Sequence, residues 1–228
     1  MNASNSTSER FLVVIAGVFV SSLLLSNIIA GKLIAIAGVV LPAAVILFPI
    51  SYVLGDVITE VYGFYRARTV IWTGLASNLL MAGVFTLAVA LPYPEFWQGQ
   101  EHYLKVLGMT PRIVAASLTA YFFGEWSNAV VLSKLKIISR GEKLWFRTIL
   151  SSLVGEGIDT ILFISLAFWG LVPLGVIKSM IVAQYIWKVT YEIVFTPITY
   201  LVVGWLKAKE NIDIFDHGVS YNPFRFKI

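Results

Sequence analysis

Residues 153–170 read LVGEGIDTILFISLAFWG, and this apolar run contains two carboxylic acids, Glu156 and Asp159. A transmembrane helix needs roughly 20 predominantly apolar residues, so a run of this kind predicts one. Charged side chains are rare inside such helices, and they face the interior of the bundle or a water-filled cavity. The segment therefore predicts a membrane-spanning helix whose two acids are directed at an interior site.

The composition of the whole chain agrees with a membrane protein. Of its 228 residues, 58% are hydrophobic and 13% are charged, and the mean hydropathy is +0.81. Soluble domains carry about 25% charged residues, so an ordinary water-soluble domain is excluded. The net charge of +4 does not indicate a nucleic-acid partner, because basic residues of membrane proteins collect in cytoplasmic loops. The chain has no cysteine, which excludes disulfides and thiolate metal sites.

Six apolar runs are long enough to cross a bilayer, and no soluble domain or linker separates them. The predicted spans are residues 11–37, 41–63, 70–91, 112–133, 145–170 and 176–206. Basic residues follow the second, fourth and sixth spans: Arg66, Arg68, Lys134, Lys136, Arg140, Lys143, Arg147, Lys207 and Lys209. Loops rich in Lys and Arg stay cytoplasmic, so both termini are predicted to be cytoplasmic. The sequence thus predicts an all-α membrane protein, a six-transmembrane-helix bundle that forms a single domain over 1–228.

Polar residues recur near the middle of the predicted spans. Counting about 1.5 Å per residue along each helix places these residues at or near mid-depth: Asn27, Asn78, Glu125, Asn128, Glu156, Asp159, Gln184, Lys188, Tyr191 and Glu192. The acids and their neighbours are three or four residues apart, so each pair projects from one helix face. A lipid-facing charge would cost about 2.5–3.5 kcal/mol, so we expect these side chains to line an interior cavity. All of them except Gln184 are predicted to bind substrate.

The predicted layer holds more acids than bases. Four carboxylates against Lys188 leave a surplus of three negative charges if every group is ionised. Such a surplus requires protonation, a bound cation or a ligand rich in hydrogen-bond donors. For Asn27 and Asn78 an alternative stays open, in which they do not bind substrate and only form hydrogen bonds between helices. An internal ion pair between Lys188 and Glu192 also stays open.

A second group of charges lies near the predicted cytoplasmic end of span 2. Asp56 and Glu60 are four residues apart, and Arg66 and Arg68 follow within two helical turns. One interpretation is a structural cluster that connects span 2 to the basic segment before span 5. The other is a gate at the inner mouth, which would use the same contacts. We favour the structural interpretation.

Motifs of several common enzyme classes are missing from the sequence. There is no G-x-x-x-x-G-K-[ST] phosphate loop, no H-E-x-x-H zinc motif and no G-x-S-x-G nucleophile motif. The histidines, His102 and His217, lie in a predicted outer loop and in the tail, and are interpreted as solvated. We therefore predict that the chain is not an enzyme and that it needs neither a metal nor another cofactor.

Several long signatures of the chain resemble the queuosine precursor transporter family, also called the vitamin uptake transporter family. They are FPISYVLGDVITEVYGFYRAR at 48–68, PRIVAASLTAYFFGEWSN at 111–128, LWFRTILSSLVGEGIDTILFISLAFWG at 144–170 and KVTYEIVFTPITY at 188–200. The resemblance covers about residues 11–206. It implies a six-helix bundle similar to the substrate-binding subunits of energy-coupling-factor transporters. It also implies import of 7-cyano- or 7-aminomethyl-7-deazaguanine across the bacterial inner membrane.

The resemblance also implies which residues matter. Carried over position by position, the family's polar motif falls on Asn27, Asp56, Glu60, Glu125, Asn128, Glu156, Asp159, Lys188 and Glu192. The family frequently has glutamine where this chain has Glu125 and Glu156, so the preferred deazapurine is left open. Transport would proceed by alternating access of a small molecule in the lipid bilayer, and a homodimer is left open. The alternative is a binding subunit for another vitamin or purine-like compound that depends on a separate energising complex.

The resemblance and the polar layer lead to one binding hypothesis. A guanine-like ring presents a ring N–H and an adjacent amino group, and one carboxylate accepts hydrogen bonds from both. An amide or Lys188 can donate to the ring carbonyl. Trp126, Trp187 or Tyr191 can stack on the ring, which contributes about 1–3 kcal/mol per base. A cationic aminomethyl group would also offset the surplus negative charge.

Overall fold

The computed structural model describes residues 9–30, 32–36, 39–108, 111–171 and 173–225. The helices in these ranges are α1 (Arg10–Ile29), α2 (Phe48–Ala90), α3 (Gln100–Leu107), α4 (Pro111–Ile138), α5 (Leu144–Phe168) and α6 (Leu174–Glu210). Between α1 and α2, β1 (Leu33–Ile36) and β2 (Val39–Pro42) pair antiparallel with Ala35 opposite Val40, and a short 3₁₀ turn, Ala43–Ile46, follows. The long helices form the bundle, and α3 lies in the connection between α2 and α4.

The helices have the length and surface of membrane-spanning segments. Among the described residues, five helical segments are long and apolar enough to cross a bilayer. Their outer faces carry large apolar side chains that the described residues leave exposed, such as Val13, Leu80, Leu87 and Leu201. The prediction of a helical chain with several segments able to cross a bilayer is therefore confirmed, whereas the count of six spans stays a prediction. The first predicted span, 11–37, is too long, because the helix ends at Ile29 and a hairpin follows it.

The long helix α2 is interrupted at Gly63, and it covers nearly all of the third predicted span, 70–91. The second predicted span, 41–63, begins too early, because β2 and the 3₁₀ turn precede the start of α2 at Phe48. The backbone angles at Gly63, φ 80° and ψ 169°, are essentially restricted to glycine. Before Gly63, residues further along α2 contact residues further along α4. After Gly63 this order is reversed, so residues further along α2 contact earlier residues of α4. The contacts are Asp56–Asn128 and Glu60–Lys136 before Gly63, and Phe64–Trp126 and Ile71–Tyr121 after it.

Replacing Gly63 with alanine is expected to lower the free energy of unfolding by about 1–3 kcal/mol, because the backbone conformation becomes strained. A Cβ atom there would also lie 2.9 Å from both Asp216 Oδ1 and Ile214 Cγ2. Thermal unfolding of the purified protein in detergent measures the change. Gly204→Ala is the matched control, because a Cβ at Gly204 meets open space. Equal melting temperatures for the two variants would contradict the backbone strain that we expect in Gly63→Ala.

The segment after α6 packs against the bundle at this interruption. Asp216, which is 5% exposed, accepts hydrogen bonds from the Phe64 backbone N–H at 2.9 Å and from the Ser133 hydroxyl at 2.6 Å. The Ile214 backbone N–H donates to the Val61 carbonyl at 3.3 Å. These bonds satisfy backbone groups that the break in α2 leaves unpaired. The tail therefore stabilises the break in α2.

Two further features position the site. The start of α1 and the end of α6 lie together, because the Phe11 backbone N–H donates to Glu210 Oε1 at 2.9 Å. Helices α4 and α5 cross at Gly124 and Gly155, where a Cβ on Gly155 would lie 2.7 Å from the Asn128 Cβ. Small residues allow such a close approach of transmembrane backbones. The crossing brings together the faces of α4 and α5 that carry the acids.

Candidate functional site

A cavity lies in the half of the bundle that is remote from Phe11 and Glu210. Its walls come from the end of α1, the first turn of α2, the first two turns of α4 and the middle parts of α5 and α6. The lining residues are Asn27, Ala30, Ala44, Val45, Phe48, Pro49, Ile113, Ser117, Asp159, Phe163, Gln184, Trp187 and Lys188. Most of them are apolar, and the few polar groups come from four different helices, which is typical of small-molecule sites.

An ion pair between Asp159 and Lys188 borders the cavity. Lys188 Nζ donates to Asp159 Oδ2, and each residue is 4% exposed. The same ammonium lies 4.5 Å from the centroid of the Phe48 ring and 5.4 Å from that of Tyr52. Cation–π contacts of this kind hold an ammonium in place when water is excluded. The pair therefore presents an acceptor and a donor side by side at the apolar wall.

Aromatic side chains form much of the remaining wall. Phe48, Phe163 and Trp187 each line the cavity from a different helix. Within the described part of the chain, the Trp187 Nε1–H has no hydrogen-bond partner. Trp187 thus offers a flat apolar face and one hydrogen-bond donor. Of the three stacking residues predicted from sequence, it alone lines the cavity: Trp126 packs edge-on against Phe64, and Tyr191 stacks on Phe195 with 4.0 Å between ring centroids.

The asparagines of the predicted site form a chain of hydrogen bonds at the cavity edge. Asn27 Nδ2 donates to Asn78 Oδ1 at 2.5 Å, and the Ser117 hydroxyl donates to Asn27 Oδ1 at 3.0 Å. Asn78 Nδ2 in turn donates to the Gly74 carbonyl at 2.9 Å. Asn27 and Ser117 line the cavity, whereas Asn78 lies behind them and is 2% exposed. These bonds connect α1, α2 and α4.

Most of the predicted acids lie one or two turns beyond the cavity, toward the end of the bundle where α1 begins and α6 ends. Asp56, Glu125, Glu156 and Glu192 come from four helices and are each at most 3% exposed. Asn128 Nδ2 donates to Asp56 Oδ1 at 2.7 Å. We call these four acids and Asn128 the buried acid cluster. Of the residues predicted to bind substrate, Asn27, Asp159 and Lys188 thus line the cavity, and Glu125, Asn128, Glu156 and Glu192 belong to the cluster.

The charges predicted to form a gate or a structural cluster near the end of span 2 separate into three places. Glu60 is fully buried, and its Oε1 lies 2.7 Å from both Arg147 Nη2 and Lys207 Nζ. Arg66 pairs with Glu9 at 3.0 Å on a more exposed surface. Asp56 belongs to the buried acid cluster. Glu60 therefore connects α2, α5 and α6 at the end of the bundle opposite the cavity.

Lys136 extends the Glu60 network into the tail. Its Nζ donates to the Glu60 carbonyl at 2.5 Å and to Asp213 Oδ1 at 2.6 Å, and Lys207 Nζ lies 3.0 Å from the same Asp213 oxygen. Burial acts to raise the pKa of Asp213, but hydrogen bonds from Lys136 and Lys207 outweigh it and lower that pKa below its ordinary value. The network closes this end of the bundle.

The lowered pKa of Asp213 makes the stability of the network dependent on pH. A carboxyl whose pKa is lower in the folded protein stabilises it above the pKa of the unfolded chain, and this contribution is lost as the pH falls through the folded value. Acidification is therefore expected to lower the melting temperature of the natural protein more than that of Asp213→Asn. The control is Glu95→Gln, an exposed acid between α2 and α3, which should behave like the natural protein. Equal acid sensitivity of all three proteins would contradict the assignment.

Sequence comparisons place the chain among known transporters. The profile of the family described as "Putative vitamin uptake transporter" matches residues 42–202. The chain is 24% identical over 176 residues to the "Probable queuosine precursor transporter" of Bacillus subtilis (strain 168), which covers 77% of each chain. It is 28% identical over 122 residues to the "Queuosine precursor transporter" of Escherichia coli (strain K12), which covers 54% of this chain and 52% of the relative. No solved structure matches the chain.

Proposed function

Because the chain belongs to the vitamin uptake transporter family, we propose that it imports 7-cyano- or 7-aminomethyl-7-deazaguanine across the bacterial inner membrane. The observation that carries the proposal is the cavity walled by aromatic rings and bordered by the Asp159–Lys188 pair. The relatives named above are transporters of queuosine precursors, which gives the substrate class.

The chemistry of the cavity matches the edge and the face of a deazaguanine. The ring N–H and the amino group of the ligand both donate, and the Asp159 carboxylate accepts both. Lys188 donates to the ring carbonyl, and Gln184 and Asn27 offer amide groups for the remaining polar atoms. Phe48 and Trp187 hold the flat ring by stacking, which contributes about 1–3 kcal/mol per base. A cationic aminomethyl substituent would be attracted by the negative charge beyond the cavity.

The proposal includes a path across the membrane by alternating access. We count the two arms of α2, residues 48–62 and 64–90, as separate spans, which makes six. The reversed order of contacts on α4 after Gly63 supports this count, and so does the proximity of Phe11 and Glu210, because an even number of crossings returns the chain to one side. The cavity then faces outward, and the Glu60 network closes the cytoplasmic side. Release of substrate requires that network to open.

The substrate assignment is tested in a bacterial strain that cannot synthesise queuosine precursors. Cells that express the chain receive one deazaguanine at a time, and queuosine in their tRNA is measured. We expect one or both deazaguanines to restore queuosine, and failure of both would overturn the assignment. Purified protein in liposomes, with no other protein, is expected to take up the same compound. A requirement for an added protein complex would favour a binding subunit instead.

Replacing Trp187 with alanine is expected to raise the KM for uptake without changing the amount of protein in the membrane. Loss of one stacking face costs about 1–3 kcal/mol, which corresponds to about 5- to 150-fold in affinity. Trp169→Ala is the matched control, because that ring is 63% exposed and lies outside the cavity wall. Both variants are measured by initial rates of uptake in the same strain. An unchanged KM for Trp187→Ala would contradict the stacking role.

A further inference from the structure

The buried acid cluster has more hydrogen-bond acceptors than donors. One oxygen of each carboxylate lacks a hydrogen-bond partner in the described part of the chain, and so does Asn128 Oδ1. The carboxylate oxygens are Asp56 Oδ2, Glu125 Oε1, Glu156 Oε2 and Glu192 Oε1. Buried acceptors are almost always paired, and a buried ionised carboxylate without a donor is costly. The cluster therefore requires positive charge or additional donors.

The groups that face the buried acid cluster supply too little positive charge and too few hydrogen-bond donors. From α5 and α6, the Asp159–Lys188 pair is adjacent, and Lys188 already donates to Asp159. From α2, the Tyr52 hydroxyl is a donor, and from α4 the Tyr121 hydroxyl already donates to the Ile71 carbonyl at 3.2 Å. From α1, the neighbour at this depth is Phe19, which carries no charge. Lys188 is thus the cation at this depth, and four further carboxylates remain uncompensated.

Tyr52 is an independent sign that the cluster takes up a proton. It is 1% exposed, and its hydroxyl has no hydrogen-bond partner among the described residues. A Cβ added at Gly124 would lie 3.2 Å from the Tyr52 hydroxyl oxygen and 2.7 Å from the Asp159 Cβ. The hydroxyl therefore lies at the crossing of α4 and α5. A buried hydroxyl between Asp159 and the residue next to Glu125 is placed to pass a proton from the cavity to the cluster.

The arrangement favours protons over a metal ion. In the part of the chain that the structure describes, no three His, Cys, Asp or Glu side chains are grouped closely enough to hold a metal. Hard cations need about six oxygen ligands at short, fixed distances, whereas a proton needs one carboxylate and turns it into a donor. Each bound proton removes one negative charge and satisfies one unpaired acceptor. Both deficits of the cluster are thus corrected together.

We infer that the buried acid cluster is the proton-binding site of a proton-coupled importer. Protons pass from outer water through the cavity to the carboxylates of Asp56, Glu125, Glu156 and Glu192, and they return to water on the cytoplasmic side after the helices rearrange. The inward proton gradient then drives the deazaguanine against its own gradient. This inference rests on the proposed function, because it names the energy source of the same transport.

The test compares driven uptake with exchange in liposomes that contain the purified protein. The natural protein is expected to accumulate the deazaguanine that restores queuosine in cells when the outside is made acidic, and a protonophore should abolish accumulation. Asp56→Asn keeps an acceptor for Asn128 but cannot bind a proton at that position. It is expected to exchange labelled for unlabelled compound as before and to lose the accumulation. Glu95→Gln, in the exposed outer loop, should retain both activities.

Three results would overturn the inference. These are accumulation that ignores the pH gradient, accumulation that follows a sodium gradient, and full accumulation by Asp56→Asn. If the natural protein shows no exchange at all, the proposed function is refuted instead. A measurement without substrate then still tests the proton site. Infrared spectra of the natural protein at neutral pH should contain a C=O band from protonated carboxyls, and this band should be weaker in Asp56→Asn. Absence of the band would rule out the proton site.

Discussion

Replacing Lys188 with alanine is expected to abolish uptake and to lower the free energy of unfolding by about 3–5 kcal/mol. The lysine donates to Asp159, and both side chains are 4% exposed, so the substitution leaves a buried carboxylate without its partner. The same substitution removes the donor that we assign to the ring carbonyl of the substrate. Uptake by cells and thermal unfolding of the purified protein measure the two effects.

A paired variant separates the stability of this ion pair from its role in binding. Replacing Asp159 with leucine and Lys188 with methionine removes both charges together, and such apolar replacements of a buried pair are often neutral or stabilising. We expect the melting temperature to recover and uptake to stay absent. Recovery of uptake together with stability would contradict our account, because the pair would then be structural only.

Replacing Gly155 with valine is expected to produce the second large effect, loss of a correctly assembled bundle. A Cβ at this position would lie 2.7 Å from the Asn128 Cβ and 2.9 Å from the Gly124 carbonyl oxygen, and neither can move without displacing α4. Overpacking by a single methylene group already costs about 1–3 kcal/mol, and valine adds more. Separation of α4 from α5 would also move Asn128 away from Asp56. Thermal unfolding and uptake are both expected to fall.

The matched control for the helix crossing is Gly157→Ala, two residues further along α5. A Cβ at Gly157 would lie 3.5 Å from Tyr185 Cε2, which is an ordinary contact. We therefore expect the stability and uptake of Gly157→Ala to be close to those of the natural protein. If Gly155→Val behaved in the same way, the close approach of α4 and α5 would not be needed for the site.

Hydropathy was sufficient to find the later helices. The predicted spans 112–133, 145–170 and 176–206 each lie within or close to a helix of the structure, because these apolar runs have clear polar ends. The region between α1 and α2 was less predictable. Its Leu, Ile and Val residues raise the hydropathy whether they lie in a helix or in a hairpin, so the predicted first span extends to residue 37. The family match confirms the resemblance that the signatures indicated.

The depth of the acids was predictable from sequence, but their division into two groups was not. Glu125, Glu156 and Asp159 are all buried, as the cost of lipid-facing charge requires. Which of them borders the cavity depends on helix rotation and on the close crossing at Gly124 and Gly155, and spacing along one helix carries no information on either.

The aromatic walls show a different limit of sequence reasoning. Phe48 and Phe163 line the cavity, yet in the sequence they look like any lipid-facing residue of an apolar helix. Tyr191 was a stronger candidate because of its hydroxyl, but its ring stacks on Phe195, four residues along the same helix. A small signal was present for Gln184, a polar residue at mid-depth and one turn before Lys188, which does line the cavity.

The central claim, that the cavity of this transporter receives the deazaguanine from outside, is tested most directly by labelling a single cysteine. The chain has no cysteine of its own, so a thiol reagent that does not cross the membrane reports on one introduced position. Ala44→Cys, in the cavity wall, is expected to be labelled in intact cells and protected by a saturating concentration of the deazaguanine that restores queuosine. Gln98→Cys, exposed between α2 and α3 on the side that we propose to be outer, should be labelled equally with and without the compound. No labelling at Ala44→Cys, or labelling that the compound leaves unchanged, would contradict the account.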